Sequence, residues 1–334
     1  MRTAYIAQTG ASLRRQGGLL QVFVKREKVA ELPARELEQL VLLGNVVLTP
    51  AALDLVVERG IDTVMLTMSG RFRGRIVGGP SHNVKLRLAQ YGVMSEPARC
   101  LSLAQRVVEA KVFNQRALLM RFARSHGKPP RIEDAARRIE AVRVRSRLSQ
   151  TLDEVRGCEG AASAVYFGVF GELIRVEGFR FDGRNRRPPM DPVNALLSLG
   201  YTLLLNAVEA AINIVGLDPY LGALHAPEAG RPSLACDLVE EHRAPLIDAL
   251  VVAAINQGAI QPGDFEESGP GEPVVMRREA VRAVVELFER RMERQVRYEP
   301  QQRKLSWRQV LEQQARRLAR EVLGEKEYEG VRMR

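Results

Sequence analysis

A histidine and a group of carboxylates lie close together in the sequence between residues 217 and 248. His225 lies in a segment rich in Pro and Gly, and Asp237, Glu240 and Glu241 follow it. Asp237 and Glu240 are three residues apart, so a helix would place both on one face. The pattern predicts a loop histidine that folds back over the start of an acidic helix, which would be half of a metal site.

A further carboxylate, Glu159, interrupts an apolar pattern. On the helix predicted from about 152 to 176, apolar residues recur at helical spacing, and Glu159 lies at the edge of that apolar face. A carboxylate on such a face is costly to bury unless another group pairs with it. Two interpretations therefore stay open: a salt bridge to an arginine, or a metal ligand that completes the site.

The donor types narrow the choice of ion. The three cysteines, Cys100, Cys158 and Cys236, lie far apart and in no CxxC pattern, which argues against a thiolate zinc site and a disulfide framework. Carboxylates with one imidazole favour Mg²⁺ or Mn²⁺ over zinc. Such an ion would polarise a phosphodiester and stabilise negative charge in the transition state.

The charge distribution indicates a polyanionic substrate. The formal net charge is +10, and residues 96–150 contain 13 Lys or Arg against 5 Asp or Glu. Such a surplus fits a solvated face as well as a phosphate-binding face. The basic loop 178–190, with two phenylalanines, is either a mobile loop that contacts nucleic acid or a disordered connector.

These patterns are compatible with three functions. A metal-dependent reaction on DNA explains both the acidic segment and the basic surroundings. A non-catalytic, basic DNA-binding scaffold is the alternative, because some basic helical proteins are only that. A metal hydrolase acting on a small phosphate ester is disfavoured, since a small ester does not require so much basic surface.

The length of 334 residues favours two domains. Short apolar runs separated by hairpin-type turns predict a β-rich domain over 1–83. A linker is predicted over 84–95, and helical periodicity predicts a larger all-α domain over 96–334. The fold class is therefore α+β, and the last residues, Gly324 to Arg334, are predicted to be frayed.

The sequence gives three indications of location. Its opening residues lack the pattern of a signal peptide, and it contains no uninterrupted apolar run of about 18 residues. Three scattered cysteines suit a reducing compartment. We therefore expect a cytoplasmic protein without a membrane span.

Longer stretches carry a more specific signal: LGNV at 43–46, KVFNQR at 111–116, GCEGAA at 157–162, NALLSLGYTLL at 194–204 and GLDPYLG at 216–222. Together with the stretch 225–248 and a shorter match at 69–71, they resemble the CRISPR-associated spacer-acquisition integrase, the universal adaptation nuclease of CRISPR systems. The resemblance runs in order through nearly the whole chain.

This resemblance implies a set of site residues. The metal ligands of the family, a glutamate, a histidine and an acid, fall on Glu159, His225 and Glu240, and Asp237 matches a further acid of its catalytic site. The last ligand is Asp in some members, and the Glu240 of this chain keeps the charge on a longer arm. Tyr166 and Tyr201 match tyrosines near that site.

The resemblance also implies an activity and partners. The family forms homodimers through its β-rich domain, and two dimers hold a dimer of a second, small adaptation protein in a heterohexamer. A prespacer 3′-hydroxyl attacks a phosphodiester of the CRISPR repeat in a metal-dependent transesterification, and isolated members also cut DNA. The opening residues 5–13 resemble members from type I systems, which occur alongside a Cas4-type nuclease.

Overall fold

The chain divides into two compact units, Met1–His82 and Asn83–Arg334. Strands dominate the first unit and helices the second, which confirms the predicted α+β class. Part of the segment in which the domain boundary was predicted lies outside the described residues. The computed structural model describes residues 3–8, 10–68, 70–76, 83–185, 188–266, 269 and 272–333.

The described residues of the first unit form two four-stranded sheets. Their strands are β1 Thr3–Ile6, β2 Ser12–Gln16, β3 Leu19–Val24, β4 Glu27–Pro33, β5 Gln39–Leu43, β6 Val47–Leu48, β7 Asp62–Leu66 and β8 Phe72–Ile76. The sheet orders are β1-β5-β7-β8 and β4-β3-β2-β6. β5 and β7 are parallel, and helix α1, Pro50–Glu58, lies between them in the chain, as a parallel pair requires.

The core of the first unit follows from the alternation of its strands. Leu13, Leu20, Leu40 and Leu55 are fully buried. They come from both sheets and from α1 and belong to one apolar cluster. Burial of each such side chain contributes about 2 kcal/mol to stability.

The second unit is built mainly from long helices. They are α2 Val84–Met94, α3 Pro97–Ser125, α4 Pro130–Leu148, α5 Leu152–Phe170, α6 Pro192–Val215, α7 Ser233–His242, α8 Ala249–Asn256, α9 Arg278–Glu293 and α10 Trp307–Val322. A π-helical turn, Arg243–Asp248, joins α7 to α8 and contains Pro245, which has no backbone N–H to donate. A short hairpin, β9 Gln295–Tyr298 and β10 Arg303–Ser306, shows that this unit is not entirely helical.

The predicted linker 84–95 is wrong, because most of it forms α2. The Asn83 side chain caps the helix by accepting from the Leu86 N–H at 3.2 Å. Gln90 is fully buried, and its amide donates to the carbonyls of Asp218 and Leu221 and accepts from the Asp218 N–H. The sequence did not predict this helix, because a stretch with Gly and Pro precedes residue 83 and because the buried face of the helix is partly polar.

The predicted fraying of residues 324–334 is also wrong for the described part of that tail. Tyr328 is fully buried, Val331 is 4% exposed, and the Met333 N–H donates to the Asn114 side chain at 2.8 Å. An apolar and aromatic residue within a charged tail was the sequence signal for docking. The tail therefore belongs to the core of the second unit.

Within the described residues, α6 is the one helix long and apolar enough to cross a membrane, and 78% of its most apolar window is buried inside the protein. A Cβ atom on Gly200 would lie 2.5 Å from a methyl group of Ile247, so the π-helical turn packs directly on its backbone. This helix is the central core helix of the second unit.

We predict that Gln90→Ala lowers the free energy of unfolding by about 1–3 kcal/mol, because it leaves the backbone groups of Asp218 and Leu221 without their buried partner. Urea denaturation followed by circular dichroism measures the change. Lys85→Ala, at an exposed position of the same helix, is the control and should cost less than about 0.5 kcal/mol. Equal effects of the two variants would contradict the role of Gln90.

Candidate functional site

Two carboxylates from separate helices meet at one buried lysine. Lys111, on α3, is 4% exposed, and its ammonium contacts Oε1 of Glu159 and lies 2.6 Å from Oε2 of Glu240. Ser163 donates to the same Glu159 oxygen at 3.0 Å. Helices α3, α5 and α7 therefore bring together residues that are far apart in the sequence.

Helix α5 positions Glu159 at the rim of its buried face. Thr151 caps the helix by accepting from the Glu154 N–H at 3.2 Å, and Val155 and Ala162, on either side of Glu159, are fully buried. The Glu159 side chain itself is 27% exposed. The sequence left its partner open between an arginine and a metal ion, and the ion pair here is with a lysine.

Glu240 lies deeper than Glu159. The Arg243 guanidinium, one helical turn later, lies 3.2 Å from Oε1 of Glu240. Burial raises the pKa of Glu240, but Arg243, Lys111 and His225 lower it, and the result is a pKa of about 2. Glu240 is thus an anion at any physiological pH. His225 is close enough to influence its pKa electrostatically.

Asp237 organises the loop that carries His225. Its carboxylate accepts from the backbone N–H groups of Ala223, Leu224 and His225 at 2.6, 3.0 and 2.9 Å. A Cβ atom at Gly222 would lie 2.6 Å from Oδ2 of Asp237, so this close approach requires a glycine. The tight loop in front of α7 therefore depends on this one carboxylate.

The same carboxylate orients the imidazole. Nδ1 of His225 lies 2.7 Å from Oδ1 of Asp237, and the buried carboxylate can only accept, so Nδ1 carries the proton. Whenever the ring is neutral, this tautomer leaves the lone pair on Nε2, as a metal ligand needs. The predicted catalytic part of Asp237 stays a prediction, and its visible role is to position His225.

The donor set was tested for its fit to a metal ion. Two carboxylates with an imidazole suit Mg²⁺ or Mn²⁺. In the described part of the chain, however, no three His, Cys, Asp or Glu side chains lie close enough together to share an ion. Oε2 of Glu240 is buried and has the Lys111 ammonium beside it without hydrogen-bond geometry. The donor types therefore fit Mg²⁺ or Mn²⁺, but the Lys111 ammonium lies between the two carboxylates, where such an ion would bind.

Tyr166 and Tyr201 share one buried acid. Their hydroxyls donate to Oδ2 and Oδ1 of Asp248 at 2.8 and 2.6 Å. Burial, and then the charge of Asp248, raises the pKa of both tyrosines well above the usual range, so both stay protonated donors. The Arg243 guanidinium lies 4.7 Å from the centre of the Tyr201 ring, which links this group to Glu240.

Glu241 belongs to a different network from Glu240. It is fully buried and accepts from the Tyr328 hydroxyl at 2.8 Å, the Gln314 amide at 3.1 Å and the Val331 N–H at 2.9 Å. The C-terminal tail thus supports α7 next to the site. Glu241, like Asp248, is therefore bound by hydrogen bonds that stabilise the fold, and the sequence did not predict Lys111 or the docked tail.

Many arginines of the basic segment 96–150 are in ion pairs. The pairs join Arg116 to Glu140, Arg131 to Glu172, Arg137 to Asp134 and Arg143 to Glu109 and Glu140. Glu109 also receives Arg147 and, from the tail, Arg332. Three arginines around one 7%-exposed carboxylate leave excess positive charge there.

The basic loop 178–190 is attached to the helical unit in its described part. Its Arg184 donates to Asn194 at 2.7 Å, and its two phenylalanines pack on others, Phe179 on Phe265 and Phe181 on Phe170. Arg186 and Arg187 lie outside the described residues. The two rings therefore anchor the loop, so stacking on bases is not their visible role.

The sequence of this chain is similar to those of known proteins. The family model described as CRISPR associated protein Cas1 matches residues 4–290. CRISPR-associated endonuclease Cas1 3 of Thermus thermophilus is 36% identical, over 96% of this chain and 94% of that protein. A Cas4 exonuclease/Cas1 endonuclease fusion of Geobacter sulfurreducens is 39% identical, over 96% of this chain and 58% of the fusion.

The fold was also compared with solved structures. A casposase bound to integration product superposes with a TM-score of 0.84, covering 99% of this chain and 93% of that one, at 24% sequence identity. At that identity the likeness concerns the fold alone.

We predict that Asp237→Asn loosens the loop before α7. An amide offers one acceptor oxygen, whereas the carboxylate accepts four contacts. The free energy that holds the loop closed should therefore fall by about 2–3 kcal/mol. Hydrogen exchange read by mass spectrometry should show faster exchange at residues 223–225. Glu228→Gln, at an exposed carboxylate of the same loop, is the control, and unchanged exchange in Asp237→Asn would rule out this account of the loop.

A second prediction concerns the tail. A Cβ atom at Gly330 would lie 2.4 Å from that of Ala110 and 2.6 Å from Oε2 of Glu241. Gly330→Ala should therefore displace the tail and lower the free energy of unfolding by about 1–3 kcal/mol. Chemical denaturation measures it.

The matched control is Gly168→Ala, at an exposed position of α5 with open space around it. Alanine there should be neutral or should stabilise by up to about 1 kcal/mol, since it favours the helix. A Gly330→Ala variant as stable as this control would mean that the tail is not held against Glu241.

Proposed function

This chain belongs to the CRISPR-associated Cas1 family, and from that premise we propose that it is a metal-dependent DNA endonuclease and integrase. It inserts short prespacer DNA into a CRISPR array by attack of a 3′-hydroxyl on a phosphodiester of the repeat. One observation carries the proposal: Glu159 and Glu240, from separate helices, converge on Lys111, and the His225 that Asp237 orients is near enough to affect the pKa of Glu240.

Glu159, His225 and Glu240 would hold a divalent cation, Mg²⁺ or Mn²⁺. Such an ion, when bound, supplies positive charge to the phosphodiester and to the oxygens that gain charge in the transition state. The chain supplies the rest. Asp237 keeps the proton on Nδ1 of His225, and Arg243 keeps Glu240 ionised and in place.

The proposed reaction is an exchange of phosphodiesters. The prespacer 3′-oxygen forms a bond to phosphorus, the bond from phosphorus to the 3′-oxygen of the repeat strand breaks, and the released strand end takes up a proton as the attacking hydroxyl loses one. With water as the nucleophile the same exchange is hydrolysis, which accounts for endonuclease activity at the same site.

The DNA is proposed to lie along excess positive charge. Arg143, Arg147 and Arg332 surround Glu109, and Arg143 also pairs with Glu140, so the arginines outnumber the acids. The side chains of Arg147 and Arg332 are 46% and 48% exposed. Phosphate groups of the DNA would neutralise the positive charge that the neighbouring carboxylates do not balance. Binding through such arginines weakens steeply with salt, because each phosphate contact releases counterions.

The proposed assembly follows the family. Two homodimers, each joined through the β-rich unit, hold a dimer of a small second adaptation protein in the cytoplasm. A Cas4-type nuclease is a further proposed partner, supported by the relative in which the two enzymes are one chain.

The second candidate is a DNA-binding scaffold without catalysis. It is favoured by the Lys111 ammonium, which together with Arg243 compensates the charge of the two carboxylates without a metal ion. Strand transfer by the purified protein separates the two candidates.

We predict that Glu159→Gln, His225→Asn and Glu240→Gln each lower half-site integration by about 100-fold or more, because each removes a ligand of the proposed ion. The assay follows transfer of a labelled duplex into repeat DNA in Mn²⁺ or Mg²⁺. EDTA should abolish transfer by the wild-type protein.

Glu286→Gln, at a 72%-exposed carboxylate of α9, is the matched control and should leave integration unchanged. Thermal unfolding confirms that each variant is folded. Full integration by all three site variants, or transfer that persists in EDTA, would sink the proposed function and leave the scaffold.

A further inference from the structure

Lys111 lies where a cation shared by Glu159 and Glu240 would lie. We propose that it is a placeholder: its ammonium holds the two carboxylates together in the metal-free protein and moves away when a divalent cation binds. The inference rests on the proposed metal site and deepens it, since it states what the ion must displace.

Burial and contact carry the first step. The Lys111 side chain is 4% exposed, yet its ammonium contacts carboxylates on α5 and α7 at once. A buried lysine is costly unless it is paired, and two close carboxylates repel each other when no cation lies between them. Each group therefore explains the position of the other in the absence of metal.

The charges carry the second step. The Lys111 ammonium already lies between Glu159 and Glu240, and Arg243 lies at the other oxygen of Glu240. A divalent ion held by both carboxylates would therefore lie beside the ammonium. Repulsion between such close cations is strong, so the ion can bind there only if one resident cation leaves.

The anchoring of the two cations decides which one leaves. Arg243 has a carboxylate on one side and the Tyr201 ring on the other, and a planar guanidinium fits both. Lys111 contacts both Glu159 and Glu240, but it ends in a compact ammonium on a flexible stem, which can turn away more readily than a planar guanidinium. Lys111 is thus the cation that moves.

Two consequences follow. The ammonium competes with the metal ion, so the wild-type site binds metal more weakly than its ligands alone would allow. It also stabilises the metal-free protein, because without it Glu240 would keep the Arg243 ion pair while Glu159 would keep only the Ser163 hydroxyl among the contacts described above.

The first experiment measures Mn²⁺ binding to Lys111→Met without any DNA. Electron paramagnetic resonance reports free Mn²⁺, and thermal unfolding is recorded in EDTA and in Mn²⁺. We expect binding about 10-fold tighter than in the wild type, a lower melting temperature in EDTA, and a larger rise on adding Mn²⁺. Lys111→Arg keeps the charge and should bind no more tightly than the wild type, and Lys28→Met, at an exposed lysine, should match the wild type.

The second experiment needs no variant, so it holds even if Lys111→Met does not fold. An amine-reactive reagent is applied to the wild-type protein with EDTA or with Mg²⁺, and labelling is read by mass spectrometry. Labelling of Lys111 should rise several-fold with Mg²⁺ as the ammonium leaves its buried position, while labelling of the exposed Lys85 stays constant.

The outcomes separate the two levels of the proposal. If the wild type binds Mn²⁺ but Lys111→Met binds it equally or more weakly, or if Lys111 stays protected in Mg²⁺, the placeholder is wrong and the metal site stands. If neither protein binds Mn²⁺, the proposed function fails as well.

Discussion

Two carboxylates that lie close together in a protein repel each other unless positive charge or a shared proton compensates them, and in the helical unit positive charge does so where three helices meet. An uncompensated buried charge costs several kcal/mol, far more than an ordinary contact contributes. Lys111 and Arg243 supply the compensation for Glu159 and Glu240. Helices α3, α5 and α7 are thereby fixed at one point, and the loop of His225 leads into the last of them.

The other buried acids of the same region have separate tasks, which their donors define. Asp237 binds backbone N–H groups and the imidazole, Glu241 binds the C-terminal tail, and Asp248 binds two tyrosines. Each of these three is satisfied by hydrogen bonds from the chain itself. Glu240 differs, because a lysine and an arginine surround it and one of its oxygens lacks a partner with hydrogen-bond geometry. Of these four buried acids, Glu240 therefore belongs to the candidate site, and Asp237, Glu241 and Asp248 stabilise the structure around it.

Much of this arrangement could be predicted from the sequence. Alternating and helical patterns predicted the α+β class, which the structure confirms. Long motifs with an acidic segment predicted Glu159, His225 and Glu240 as one group. Glu159 and Glu240 do meet at Lys111, and a common metal site with His225 stays a prediction. Lys111 was not predicted, because a lysine at a helical position is ordinarily a solvated charge, and only tertiary packing buries it. Helix α2 and the tail were missed because Gln90 and Tyr328 are held by distant hydrogen bonds that no local pattern records. For the arginines of α4 the sequence left a solvated face and a phosphate-binding face open, and several of them pair with acids one turn away or on other helices.

The most direct test of the account is the anomalous scattering of manganese in crystals of the wild-type protein grown with Mn²⁺. The account predicts a peak bounded by Glu159, His225 and Glu240, with the Lys111 ammonium moved out from between the two carboxylates. A manganese peak elsewhere in the unit, or Lys111 still joining both carboxylates with no peak beside them, would contradict it.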